Sequence, residues 1–198
     1  SANRTKASVA STPPMSISSS GRVVSTENAF VDPRAQIDEG VQIGPFSVVG
    51  PDVSIGLGTR LENNVTLMGH VQIGRHNHIF PGATIGGAPQ DLSFQGSVTR
   101  IVIGDHNVIR EAVTVNRGSE KEQRLTQIGN RCYLMAGCHV AHDCIVGDHV
   151  VLANSTMLGG HVHVHDHSTM SGLVGVHHFT TIGRYSFIAG MSRVRHDV

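Results

Sequence analysis

IGNRCY LMAGCH VAHDCI VGDHVV LANSTM LGGHVH, residues 128–163, opens each block of six on an aliphatic residue: Ile128, Leu134, Val140, Val146, Leu152 and Leu158. The register continues through Val164, Met170, Val176, Ile182 and Ile188 to Val194. Upstream, the same spacing runs from Val31 through Ile37, Ile43, Val49, Ile55, Leu61, Leu67, Ile73 and Ile79 to Ile85. It lapses across GGAPQDLSFQGSVTR, returns at Ile103, Ile109 and Val115, and lapses again across SEKEQR. The fifth residue of a block is small or β-branched, as in Ala35, Val41, Ser47, Val53, Thr59, Val65 and Val71, and Gly often follows the aliphatic residue, as in IGPFSV and IGDHNV. A period of six is neither the ~3.6 of an amphipathic helix nor the ~2 of an alternating strand. It describes a short strand and a corner, repeated. Three such sides enclose a prism filled by the aliphatic residue and its small partner. A β-sandwich, with turns every ~8–12 residues and no strict register, does not fit.

Composition agrees. Val and Ile together number 39 against 9 Leu, Gly numbers 23, Trp is absent and Lys occurs twice in 198 residues. Strands and tight turns favour that usage, and helices do not. The length suits one domain. Fifteen basic residues balance fifteen acidic ones, so no net field recruits nucleic acid or an acidic membrane. No apolar run approaches the ~20 residues of a membrane-spanning helix. Residues 1–26 are Ser/Thr-rich, with no acid before Glu27, and are expected to be a disordered tail. The alternatives for that tail are a transit-like leader and an irregular start with Met15 as initiator. Residues 27–198 form the repeat domain, with loop excursions near 87–100 and 118–126.

The ladder resembles the hexapeptide-repeat family. That resemblance implies an all-β, left-handed parallel β-helix with three hexads per coil. Residues one coil apart then stack about 4.8 Å apart, the spacing of paired strands. Cys132, Cys138 and Cys144 occupy the fifth position on three successive sides of one coil, which reads as buried filler and not a metal cluster. Of the 14 His, His70, His76, His106, His149 and His167 fall on a corner-proximal position. HVHVHDH, residues 161–167, alternates like a strand and could line several imidazoles on one face.

The coil arithmetic puts His142, Gly160, His178 and His196 in one column. An imidazole beside a backbone N–H with no side chain in the way is a minimal kit for acyl transfer: a base for a hydroxyl proton and a donor for the oxyanion. GPFSVVGP (44–51), PQDLSFQG (89–96), IGDHNVIREAVTVNRG (103–118), LMAGCHVAHDC (134–144), LANSTMLGGHV (152–162) and GVHHF (175–179) resemble the UDP-N-acetylglucosamine O-acyltransferase family, from about Ala29 to the last residue.

That resemblance implies transfer of a 3-hydroxyacyl group from acyl carrier protein to the 3-hydroxyl of UDP-N-acetylglucosamine. This is the first step of lipid A synthesis, carried out by a cytoplasmic homotrimer without metal or cofactor. It makes His142 the base, Asp143 its electrostatic partner and Gly160 the oxyanion donor. It sets Asp91, His139, His161 and His177 around the nucleotide sugar. It also makes Gly190 the limit on acyl chain length, where the competing reading is a glycine required by its corner. Contact between Asp143 and His142 requires a corner, because adjacent strand residues face opposite ways. Two substrate positions depart from the pattern: Ser93 stands where the family has Lys, and His178 where it has Gln. The family's C-terminal helical domain is absent from these residues. Two other readings remain open, a zinc enzyme of the hexapeptide carbonic-anhydrase type and a non-catalytic paralogue that binds nucleotide sugar.

Overall fold

The computed structural model describes residues 24–25 and 28–198. The expected tail falls mostly outside them. Val24–Ser25, inside the tail boundary, already pairs in parallel with Gln42–Ile43, so the coil begins earlier than residue 27. Among the described residues there are no helices. Twenty-six strands, mostly of two residues, form three parallel sheets in which each strand pairs with the third one along the chain. The chain visits the three sheets in turn and so winds a left-handed parallel β-helix.

We call the sheets the first face (from Val24–Ser25 to Phe187–Ile188), the second (from Phe30–Val31 to Arg193–Val194) and the third (from Gln36–Ile37 to Thr181–Ile182). The register is three hexads: His139 pairs with Met157, Met157 with Gly175, and Gly175 with Arg193. The aliphatic column fills the interior, with Ile43, Leu61, Ile79, Ile109, Leu134 and Leu152 all fully buried along one face. Backbone hydrogen bonds run from coil to coil, as in His139 N–H to Thr156 C=O at 2.9 Å and Ile145 N–H to Val162 C=O at 3.0 Å.

Small polar residues that replace the aliphatic partner inside are bonded. Asn107 N–H donates to Asn77 Oδ1 and Cys132 N–H to Asn107 Oδ1, and the two amide groups donate to Gly104 and Gly129 carbonyls. That ladder supplies a partner for every polar atom it buries.

The corners fall on a left-handed residue that is usually not Gly. Phe46, Asn64, His76, His106, Asp143, His149, His161, His167 and Phe179 all have φ between 53° and 62°. Four of the five corner histidines are therefore true corner residues, whereas His70 lies within the strand His70–Ile73. The segment 161–167 is not one strand: only His163–Val164 is extended, and corners at His161 and His167 turn their rings onto different prism edges. His167 stacks between His149 and Tyr185, and His161 is buried against Phe179.

Two departures interrupt the coil. Arg100 pairs with His70, and Leu125 with Arg100, so each of these two coils is longer than three hexads. The extra residues, 88–99 and 117–124, both leave at the edge where the second face turns into the third.

Cys132, Cys138 and Cys144 are free and buried on the three sides of one coil. Burial pushes the Cys132 thiol up to about 11 and the Cys144 thiol up to about 12. We expect a thiol reagent at pH 8 to label none of the three in the folded protein and all three in guanidinium, because the thiolate is the reactive form. Fast labelling of any one in the native state, followed by absorbance, would contradict this packing.

Candidate active site

The edge between the second and third faces carries a column of corner residues, Asp143, His161 and Phe179, each left-handed (φ 59°, 62° and 61°). A second column, His142, Gly160 and His178, precedes it by one residue. The left-handed turn at Asp143 reverses the usual divergence of neighbouring side chains. His142 Nδ1 and Asp143 Oδ2 lie 2.8 Å apart, with the histidine 8% and the aspartate 1% exposed. Asp143 Oδ1 accepts the Ser119 N–H at 2.8 Å, and Asp143 N–H donates to Thr126 Oγ1 at 2.9 Å. A carboxylate can only accept, so in the neutral His142 ring the proton sits on Nδ1 and Nε2 carries the lone pair.

Gly160 lies directly beneath that ring. A Cβ built at Gly160 would come within 2.6 Å of His142 Cε1 and 2.7 Å of Nε2, so any side chain there displaces the imidazole. The neighbouring N–H groups are used, Gly159 on Val176 C=O and His161 on His142 C=O, while among the described residues nothing accepts from the Gly160 N–H.

Both groups open into a groove of about 840 Å³ along the second face, lined among others by His139, Met157, Gly175, His177, Arg193 and Gln90. His139 receives or donates a 2.7 Å bond at Thr114 Oγ1. Burial first, and the neighbouring His142 second, lower its pKa, which favours a neutral ring. His177 and His178 are exposed, their rings 3.8 Å apart, and His177 faces the groove while His178 does not.

The excursions complete the edge. Asp91 Oδ1 accepts the Ser93 N–H and Oγ–H at 2.9 and 2.8 Å, and Asp91 Oδ2 meets Lys121 Nζ at 2.6 Å. The Lys121 ammonium, helped by the Ser93 donors, holds the Asp91 carboxyl well below the usual range. Asp91 and Ser93 do not line the groove, but Gln90 does. Sequence reasoning missed Gln90, Ser119, Lys121 and Glu122. The signal for Ser119, Lys121 and Glu122 was the charged run SEKEQR, and for Gln90 its place in PQDLSFQG beside Asp91.

Gly190 lies at a different edge, between the first and second faces, and does not line the groove. Its φ is not left-handed and Met191 (φ 60°) makes that corner, so the backbone conformation at 190 does not demand glycine, although a Cβ there would come within 3.3 Å of the Gly172 carbonyl oxygen of the coil below.

The ligating atoms of His142, Asp143 and His161 lie within 4.8 Å of one another. Of the ring nitrogens, His142 Nδ1 is partnered by Asp143 and His161 Nδ1 by Glu122 Oε1 at 2.9 Å, while neither Nε2 has a hydrogen-bond partner among the described residues.

Residues 125–160 match the family described as Bacterial transferase hexapeptide (six repeats), and residues 25–119 match the family described as GMPPB C-terminal domain. The acyl-[acyl-carrier-protein]–UDP-N-acetylglucosamine O-acyltransferase of Halorhodospira halophila is 48% identical over 171 residues, 86% of this chain and 66% of that protein. The enzyme of the same name from Saccharophagus degradans is 44% identical over 127 residues, 64% of this chain and 49% of that protein. The chain thus spans between about half and two thirds of these curated relatives. Among solved structures, LpxA from Acinetobacter baumannii superposes with a TM-score of 0.88 at 43% identity, covering 88% of this chain and 68% of that one. An Arabidopsis UDP-N-acetylglucosamine acyltransferase does so with a TM-score of 0.76 at 34% identity, covering 87% and 67%. By coil, edge and sequence, the chain belongs to the UDP-N-acetylglucosamine acyltransferase family of hexapeptide-repeat proteins.

Proposed function

We propose that the protein transfers a 3-hydroxyacyl group from acyl carrier protein to the 3-hydroxyl of UDP-N-acetylglucosamine, the opening step of lipid A synthesis. One observation carries the reading. His142, held by Asp143 through Nδ1, packs its ring against Gly160, whose N–H has no acceptor among the described residues. Nε2 takes the proton of the sugar hydroxyl, and the oxygen attacks the thioester carbonyl. The oxyanion collects on the Gly160 N–H, the C–S bond breaks, and Nε2 returns the proton to the carrier thiolate. A thioester is already activated, so no covalent enzyme intermediate is required.

Asp91, His139, His161 and His177 surround the nucleotide sugar on this reading, with Lys121 supplying the cation that Ser93 lacks. Gly190 acts on the acyl chain only from beyond the groove of a single protomer, so its role as a limit on chain length belongs to the assembled protein. A homotrimer and a cytoplasmic location go with the same reading. Outward apolar side chains such as Phe46, Leu173, Phe187 and Met191, each at least 61% exposed, offer surface for a neighbouring copy to cover. No helix among the described residues is long and apolar enough to cross a membrane.

The direct test incubates the protein with radiolabelled UDP-N-acetylglucosamine and a panel of 3-hydroxyacyl thioesters of acyl carrier protein. Acylated sugar nucleotide is the expected product. Tight sugar-nucleotide binding without product would favour the non-catalytic paralogue, and stoichiometric zinc in the purified protein would favour the zinc enzyme.

Three variants sharpen it. His142→Ala is expected to lower turnover by ~10²–10⁴ with the coil intact, the scale of a positioned base; near-normal turnover in the folded variant removes His142 from the mechanism. Gly160→Ala should lower kcat roughly 10- to 100-fold by pushing the imidazole aside. Circular dichroism should be unchanged, and full activity would mean that the oxyanion site lies elsewhere. Lys121→Met is expected to raise KM for the sugar nucleotide roughly two- to fivefold, the scale of an exposed ion pair. A KM that does not move would leave Asp91 and Lys121 without a part in sugar binding.

A further inference from the structure

We propose that Glu122 is a positioning residue that fixes the tautomer of His161 and so reserves the Asp143 carboxylate for His142. This rests on the acyl-transfer reading of the edge. The His161 side chain is 3% exposed, stacked on Phe179 with centroids 4.3 Å apart and set edge-on to His142 at 5.1 Å. Its Nδ1 lies 2.9 Å from Glu122 Oε1, and its Nε2 lies 3.7 Å from Asp143 Oδ2.

That second oxygen is the one His142 Nδ1 uses at 2.8 Å. If His161 carried its proton on Nε2, a donor would point at an oxygen already engaged by the base, and a small rotation would bring it into bonding range. The two imidazoles would then compete for one acceptor, because Asp143 Oδ1 is occupied by the Ser119 N–H. Glu122 prevents this. An accepting carboxylate at Nδ1 places the proton there, since the neutral ring has only one to place. The ring beside Asp143 then turns its bare nitrogen toward the aspartate and leaves Oδ2 to His142.

Glu122 does this from the 117–124 excursion, whose Ser119 binds the other oxygen of the same aspartate. The excursion therefore acts on both sides of the Asp143–His142 pair. Glu122 touches none of the reacting atoms and works only through His161.

The test uses the full chain labelled with ¹⁵N-histidine and steady-state kinetics on the same samples. His161 is assigned by difference against His161→Asn. The wild-type ring is expected to show protonated Nδ1 and bare Nε2, and Glu122→Ala to shift that proton toward Nε2. In the same variant kcat should fall about tenfold, the scale of a lost charged hydrogen bond, with KM for the sugar nucleotide within about twofold. Glu122→Gln, whose side-chain oxygen still accepts from Nδ1, should restore both the tautomer and most of kcat. A purely structural role would lower both variants alike and leave the tautomer unmoved.

The proposal is overturned if wild-type His161 is protonated on Nε2 or on both nitrogens, if Glu122→Ala keeps wild-type kcat, or if Glu122→Gln is as impaired as Glu122→Ala. Should the wild type turn over no thioester, acyl transfer fails as a reading. The nitrogen shifts of the wild type and Glu122→Ala still decide whether Glu122 sets the tautomer.

Discussion

Everything in this protein hangs on the stacking of one aliphatic side chain upon its counterpart three hexads along the chain. Ile43, Leu61 and Ile79 occupy that line on one side, and Val140, Leu158 and Val176 occupy it on another. Each fully buried aliphatic side chain is worth about 1.5–3 kcal/mol. The backbone bonds between coils hold only while the stack keeps its register, as in Gly159 N–H to Val176 C=O. A single-residue slip would turn the interior column outward on every later coil. The chain departs from register where it leaves the prism, beginning with a shift between Ile85 and Gly87, and it rejoins at residues that pair again.

Corners do more than close the coil. A left-handed residue other than Gly costs of order 1 kcal/mol, and the prism tolerates it because the coils above and below satisfy the backbone, as in His161 N–H to His142 C=O at 3.0 Å. On the functional edge the same conformation becomes useful. It swings Asp143 toward the residue before it, stacks His161 on Phe179, and places two imidazoles around one buried carboxylate. The geometry that bends the chain also brings His142 and Asp143 into hydrogen-bonding range.

The two excursions leave at this one edge, and their electrostatics belong to it. Lys121 from the second reaches Asp91 in the first, so a cation stands beside Asp91 although position 93 is serine. The ammonium and the carboxylate neutralise each other, and the pair ties the two loops together. Ser119 and Glu122 flank the buried histidine–aspartate cluster from the same direction.

The period of six, with a small or β-branched residue at the fifth place of each hexad, was enough to read the prism and the burial of the three cysteines, because a one-dimensional repeat stacks each unit only on its neighbours; the coil length of three hexads came with the family resemblance. The same arithmetic placed His142 above Gly160, since residues one coil apart must lie side by side. It could not place what lies off the repeat. Asp143 meeting His142 depended on a φ near +59°, which an aspartate does not announce in sequence. HVHVHDH alternated like a strand but was broken by two corners, so its imidazoles never shared a face. Lys121 and Glu122 sit in loops with no period, where only the closed coil decides which side chains meet. Stacking is local and legible in the chain, whereas contacts between two excursions form across three-dimensional space.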